Sequence, residues 1–229
     1  MRAVVSTKEA IQEIRAALSA ARMSTYEAIT GVNGDDDTSA LDLYIWNAQI
    51  SGAFLAPLHI CEVVIRNAIS DALAWKYGAN WPWSSAFEMS LPSPPVGYNA
   101  RRDLFDARQK APVVGQTGKV IAELKFVFWQ RMFTSRHDQR LWSPKLTTVL
   151  PHLDSTQTYQ QLRKNLYDDL EALRVLRNRI AHHEPILSRN LQEDFSRITQ
   201  VIGYRSGETA NWILRYQQVT QLLRDRPTT

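Results

Sequence analysis

Cysteine is nearly absent. Cys61 stands alone among 229 residues, so no disulfide forms within one chain and no cysteine-based zinc site can be assembled. Long apolar runs are missing too. The longest uncharged run, Leu43 to Cys61, carries Asn47, Gln49, Ser51, Gly52, Pro57 and His59 and reads as too polar for a membrane span. The opening MRAVVSTKEA has no apolar signal core. These absences lead to the expectation of a soluble cytoplasmic protein with no membrane association. The short motifs that hold metals or nucleotides also fail. HHE at 182–184 is not HExxH, and no two histidines are four apart. In GQTGKV at 115–120, Val113 stands where a phosphate-binding loop needs glycine, and Val120 where it needs Ser or Thr. A calcium loop read from Asp35 would need glycine at Ala40 and glutamate at Trp46. No metal and no cofactor is expected.

What is present points to a folded protein. Hydrophobic residues make up 44% and charged residues 22%, enough for a real core, and seven tryptophans need burial. The net charge is +4, which tolerates an anionic partner without demanding one. Its distribution says more. Between Arg101 and Lys145 ten basic residues face four acids, a local charge of +6. Phe126, Phe128, Trp129, Phe133 and Trp142 lie among them. Such interleaving suits a phosphate backbone and stacked bases, and it equally suits an amphipathic helix with a basic face over an aromatic core.

Nearly every periodic segment has helical period, and no strand is expected. Ile11, Ile14 and Leu18 open a first helix closing near Tyr26–Asn33. VNGDDDTSALDL (32–43) reads as a turn and a helix start. Leu43 to Tyr77 reads as one long helical stretch that Pro57 should break or kink, with Gly78 as its cap. ANWPWSSAFEMSLPSPPVGYN reads as an irregular Pro/Trp-rich loop, and 100–110 as a short helix. Thr117 reads as the N-cap of a helix KVIAELKFVFWQRMF. Leu162, Leu166, Leu170, Leu173, Leu176 and Ile180 mark an amphipathic helix ending at RNRIAHHEPI. Asn190 and Glu193 resemble a capping box for a helix closed by Gly203, and a last helix is predicted from about Ala210 to Arg224. The expectation is a single all-α domain over 1–229.

The stretch RNRIAHHEPI (177–186) concentrates polar chemistry at a helix end. Pro185 disfavours helical geometry at Glu184, so the helix should finish around His182 or His183. Asn178 and His182 fall on one face, as do Arg179 and His183. Arg177 and His182 are about 140° apart around an ideal helix, so they meet at one atom only if the end distorts or a second subunit completes the site. Histidines and arginines also suit a helix C-terminus structurally, through the dipole and the last carbonyls. The same residue types suit metal-free cleavage of RNA. Histidine ordinarily titrates near neutrality and can move a proton at the 2′-OH or the leaving oxygen. A guanidinium can hold the phosphate as negative charge builds.

Arg177-Asn178-x-x-x-His182 resembles the R-x4-6-H motif of the HEPN superfamily. LYIWNAQISGAFLAPLHICEVVIRNAI (43–69), GKVIAELKFVFWQRMF (118–133), RLW (140–142) and RNRIAHHEPI together resemble the Abi-like proteins of bacterial abortive-infection systems, in order and over most of the chain. The resemblance implies an all-helical HEPN bundle with additional helices. It also implies a metal-independent, toxin-like endoribonuclease that works in phage defence as a homodimer, with motifs from two subunits facing each other. Carried onto this chain, Arg177 stabilises the phosphate, His182 is general acid or base, and Asn178 supports it. His183 satisfies the spacing as well, and the one-turn relation to Asn178 favours His182. Glu62, Arg66 and Asn67 are candidates for supporting roles, unless Glu62 and Arg66 simply pair along their helix. Arg131, Arg136, Arg140, Arg174 and Arg179 are expected to hold RNA, with an antitoxin or regulatory RNA as a further expected partner. The alternative is a non-catalytic helical module of the same fold that binds RNA or protein.

Overall fold

A computed structural model describes residues 7–31 and 37–228. Among them are twelve α-helices and no strand, so the chain is all-α. The turn expected over Val32 to Asp36 and the first six residues lie outside the described residues.

Two helices, α1 (Lys8–Leu18) and α2 (Ala20–Thr30), stand where one was expected. Ser19 separates them with φ at 71°, a left-handed conformation unusual for a residue with a side chain. Gly31 closes α2 in the αL conformation, with φ at 66° and ψ at 19°. The long helix α3 (Ser39–Tyr77) runs through Pro57 without a break. Gly78, with φ at 86°, follows its last residue and donates its N–H to Ala74 O. Leu43, Trp46, Ile50, Phe54, Leu58, Cys61, Ile65 and Ile69 are buried at helical spacing along α3. By length and composition alone α3 is also apolar enough to cross a membrane, contrary to the expectation drawn from its polar residues.

The segment read as a Pro/Trp-rich loop holds a 3₁₀ turn (Trp81–Trp83) and a short helix α4 (Ser85–Ser90) before the irregular Leu91–Asn99. Helix α5 (Ala100–Lys110) covers the expected residues. The helix expected after Thr117 is two, α6 (Thr117–Glu123) and α7 (Phe126–Met132). Thr117 does not cap either; its hydroxyl donates to Ala79 O at 2.8 Å. A 3₁₀ turn (Ser135–His137) and a π turn (Asp138–Trp142) lead directly into α8 (Ser143–Val149). Then come α9 (Tyr159–Ala181), α10 (Leu191–Arg205), α11 (Gly207–Tyr216) and α12 (Val219–Arg224). Helix α10 passes through Gly203 rather than ending there, and the predicted last helix is divided at Gln217–Gln218.

The contacts group the chain into two compact units. One comprises the described residues up to Ala56 with Leu176–Phe195 and those from Gln217 on; the other comprises Pro57–Val175 with Ser196–Tyr216. In the first, Trp46 Nε1 donates to Leu222 O at 2.7 Å, and Phe54 meets Phe195 edge-on with ring centres 6.3 Å apart. In the second, the aromatics form the core: Trp81 meets Phe87 and Trp129 edge-on, and Phe133 stacks on Trp142 at 4.6 Å. Trp142 donates its indole N–H to Met132 O at 2.7 Å, which satisfies a buried donor. The π turn holds Asp138 against Arg163 at 3.0 Å.

Candidate active site

Helix α9 ends through a chain of specific backbone bonds. Glu184 N donates to Arg179 O at 2.8 Å and His183 N to Ile180 O at 3.0 Å, the paired pattern of a Schellman motif. His183 occupies its left-handed position, with φ at 56°. Glycine is the usual resident there because a side chain crowds the backbone. Pro185 follows, so the helix cannot continue. The helix therefore finishes within a residue of the expected place, and His182 N still donates to Asn178 O at 2.9 Å.

Two contacts from elsewhere in the first unit hold this end. Arg22 Nη1 of α2 donates to His183 O at 2.7 Å. Asn47, buried on α3, accepts the Ile186 N–H at 2.9 Å through Oδ1. Arg189 grips the buried Asp194 with two bonds of 2.7 Å, beside the capping box in which Asn190 Oδ1 accepts from Glu193 N and Asn190 Nδ2 donates to Glu193 Oε2. Burial and the neighbouring Tyr44 push the Tyr26 phenol on α2 up to about 12, which keeps it neutral. Sequence reasoning passed over Arg22 and Asn47 as positioning residues. Asn47 carried a signal: a polar residue between the buried Trp46 and Ile50 of an apolar helix needs a hydrogen-bond partner.

Arg177 and His182 are exposed, and neither side chain makes a hydrogen bond or ion pair among the described residues. Asn178 lies one turn before His182, but its amide makes no hydrogen bond to the imidazole. Arg179 and His183 do not share the helix face expected from their spacing. The left-handed turn takes His183 out of helical register, and Arg179 Nε instead lies 3.6 Å from Glu184 Oε2. These residues, with Arg179, belong to the first unit.

The other predicted site residues belong to the second unit. Arg66 and Glu62 pair along α3, and Arg66 also donates to Leu124 O at 3.3 Å; Asn67 is exposed. Arg174 is held by Glu171 through two bonds of 3.0 and 2.6 Å, and that pairing keeps the Glu171 carboxyl below the usual carboxylate range. Arg131 lies 5.8 Å from the Tyr167 ring centre, and Arg136 donates to Ser90 O at 3.3 Å. Arg131, Arg136 and Arg140 are exposed and make no ion pair among the described residues. Much of the basic segment is otherwise engaged: Arg101 donates to the carbonyls of Glu88, Met89 and Leu91, Arg108 pairs with Glu88, Lys110 with Glu123, and Lys125 with the buried Asp103. Phe126, Phe128, Trp129, Phe133 and Trp142 are all buried, so they form core and offer no stacking platform to nucleic acid.

No cluster of three or more His, Cys, Asp or Glu suited to a metal ion occurs among the described residues. No protein-family model matches this chain, and no curated protein or solved structure does.

Proposed function

We propose that the protein is a metal-independent endoribonuclease of HEPN type, toxin-like, acting in the bacterial cytoplasm as a homodimer in abortive infection. The observation that supports this reading most is the pairing of an unbonded, solvent-facing Arg177 and His182 at a helix end that its surroundings hold in place. A surface arginine and histidine serving only the helix terminus would bond its last carbonyls; here Arg22 and the backbone N–H groups do so. Arg177 and His182 are left to act on a ligand.

In the proposed reaction the RNA 2′-oxygen attacks the adjacent phosphorus. One His182 takes the 2′-OH proton, the O2′–P bond forms, and the P–O5′ bond breaks. The leaving 5′-oxygen takes a proton from the His182 of the second subunit. The products are a 2′,3′-cyclic phosphate and a 5′-hydroxyl end. Arg177 neutralises charge on the non-bridging oxygens as the transition state forms. Arg131, Arg136, Arg140, Arg174 and Arg179 bind the strand, and an antitoxin or regulatory RNA restrains the activity.

The test is cleavage of RNA in chelator by the wild type, Arg177→Ala and His182→Ala, with growth on expression as a second readout. The wild type is expected to leave cyclic phosphate ends and arrest growth, and each variant to lose at least ~100-fold in rate. Equal cutting by all three chains, or cleavage that needs added metal, overturns the assignment. Salt-sensitive RNA binding without cleavage by the wild type would favour a non-catalytic RNA-binding module.

A further inference from the structure

A cleft of about 530 Å³ opens in the second unit between the irregular Leu91–Asn99 stretch and the end of α7 with its following turn. It is of ligand size and combines three kinds of lining. Pro92 and the Tyr98 ring, both half-buried, form an apolar base. Arg131 and Arg136 stand at the exposed rim without a carboxylate partner. His137 lines the cleft while only 2% exposed, and no group among the described residues hydrogen-bonds its ring. An imidazole buried so fully normally has a partner, so this one is left facing whatever fills the cleft.

The three features ask for one kind of occupant. The arginines call for an anion with the geometry of a phosphate or carboxylate. The apolar base calls for a flat body beside that anion. Burial and the neighbouring arginines hold the His137 imidazole near a pKa of about 4, so it is neutral and offers one donor and one acceptor. That requires a neutral polar edge, such as a ring nitrogen or amide of a base, or a sugar hydroxyl. Tyr98 donates its hydroxyl to the buried Asp103 at 2.8 Å, so that wall adds no free donor. An acidic peptide would satisfy the arginines and leave the imidazole and the apolar lining without a partner.

We propose that this cleft binds a nucleoside monophosphate unit, with Arg131 and Arg136 on the phosphate, Pro92 and the Tyr98 ring against the base, and His137 on the base edge or ribose. The unit is supplied either as a free nucleotide or as the end of an RNA strand. The proposal stands on the second unit alone and survives or fails independently of the cleavage reaction.

Calorimetric titration of the full chain bearing Arg177→Ala and His182→Ala tests it without turnover. The probes are the four ribonucleoside monophosphates, the matching nucleosides, inorganic phosphate, a short RNA with a terminal phosphate, and a glutamate-rich peptide. At least one monophosphate is expected to bind about tenfold or more tighter than its nucleoside and than inorganic phosphate. Added Arg131→Gln and Arg136→Gln should weaken it by about tenfold or more. Both arginines are exposed, so this variant is expected to keep its circular dichroism. His137→Phe should weaken the nucleotide and leave inorganic phosphate within about twofold. Tighter binding of the RNA end assigns the source to a strand, and tighter binding of the nucleotide assigns it to the free ligand. Monophosphate binding no tighter than phosphate, unchanged affinity in the double arginine variant, or displacement by the peptide in preference to nucleotide overturns the proposal.

Discussion

His183 carries a backbone cost that His182 does not. With φ at 56° it stands where glycine is unstrained and a side chain costs roughly 1 kcal/mol. His183→Gly is therefore expected to raise stability by about that amount in urea unfolding. The same variant separates the two histidines. For the proposed reaction, cleavage by this variant at the wild-type rate assigns the chemistry to His182, and cleavage lost in this more stable chain assigns it to His183. Sequence spacing alone left both open, since R-x4-H and R-x5-H both read through the motif. Only the backbone at the helix end, set by Arg22, Asn47 and Pro185 together, distinguishes the two positions. Arg22 is 161 residues from the carbonyl it holds, which no local pattern announces.

At the scale of elements, what was legible is what local chemistry dictates. The apolar stripe of α3, the glycine after it, the span of α5 and the capping box of α10 each rest on residues within a few positions of one another. Asn190→Ala should cost about 1 kcal/mol, read as a lower midpoint in thermal unfolding, because two reciprocal bonds at the α10 start are lost. The misread boundaries share a physical cause. The breaks at Ser19, between Glu123 and Phe126, and at Gln217–Gln218 contain neither proline nor glycine, so intrinsic preference runs straight through them. At the break between Glu123 and Phe126 a tertiary contact intervenes, since Leu124 O accepts from Arg66, while at Gln217 the side chain itself accepts from Thr220 N. The break expected at Pro57 is not made, since α3 continues as helix through that proline.

For the whole molecule, the basic 101–145 segment shows how far net charge is from available charge. Arg101, Arg108, Lys110 and Lys125 are committed to carbonyls or carboxylates, so the free cations are a smaller set than the count of ten suggests. The burial that fixes this region also makes the fold acid-sensitive. His137 titrates at about 4 when folded, against an ordinary value of 6.5. Between those values the unfolded chain binds the extra proton, so stability rises with pH across that window. The contribution is fully present above about pH 6.5 and lost as pH falls towards 4, on the order of 3 kcal/mol. Urea midpoints measured between pH 7 and 4 should decline accordingly, and His137→Phe should flatten that slope.

The π turn at Asp138–Trp142 has a consequence for sequence drift around it. A π turn accommodates one residue more than the helix it adjoins. Deleting a single residue such as Gln139 would let the segment relax into ordinary α-helix running into α8. The bulge already absorbs that extra residue, so the segments on either side would keep their faces, whereas one further insertion would rotate them by about 100° against each other. After such an insertion Phe133 would leave its stack on Trp142, Asp138 its pairing with Arg163, and His137 its place in the cleft. These five positions can therefore lose one residue more readily than they can gain another.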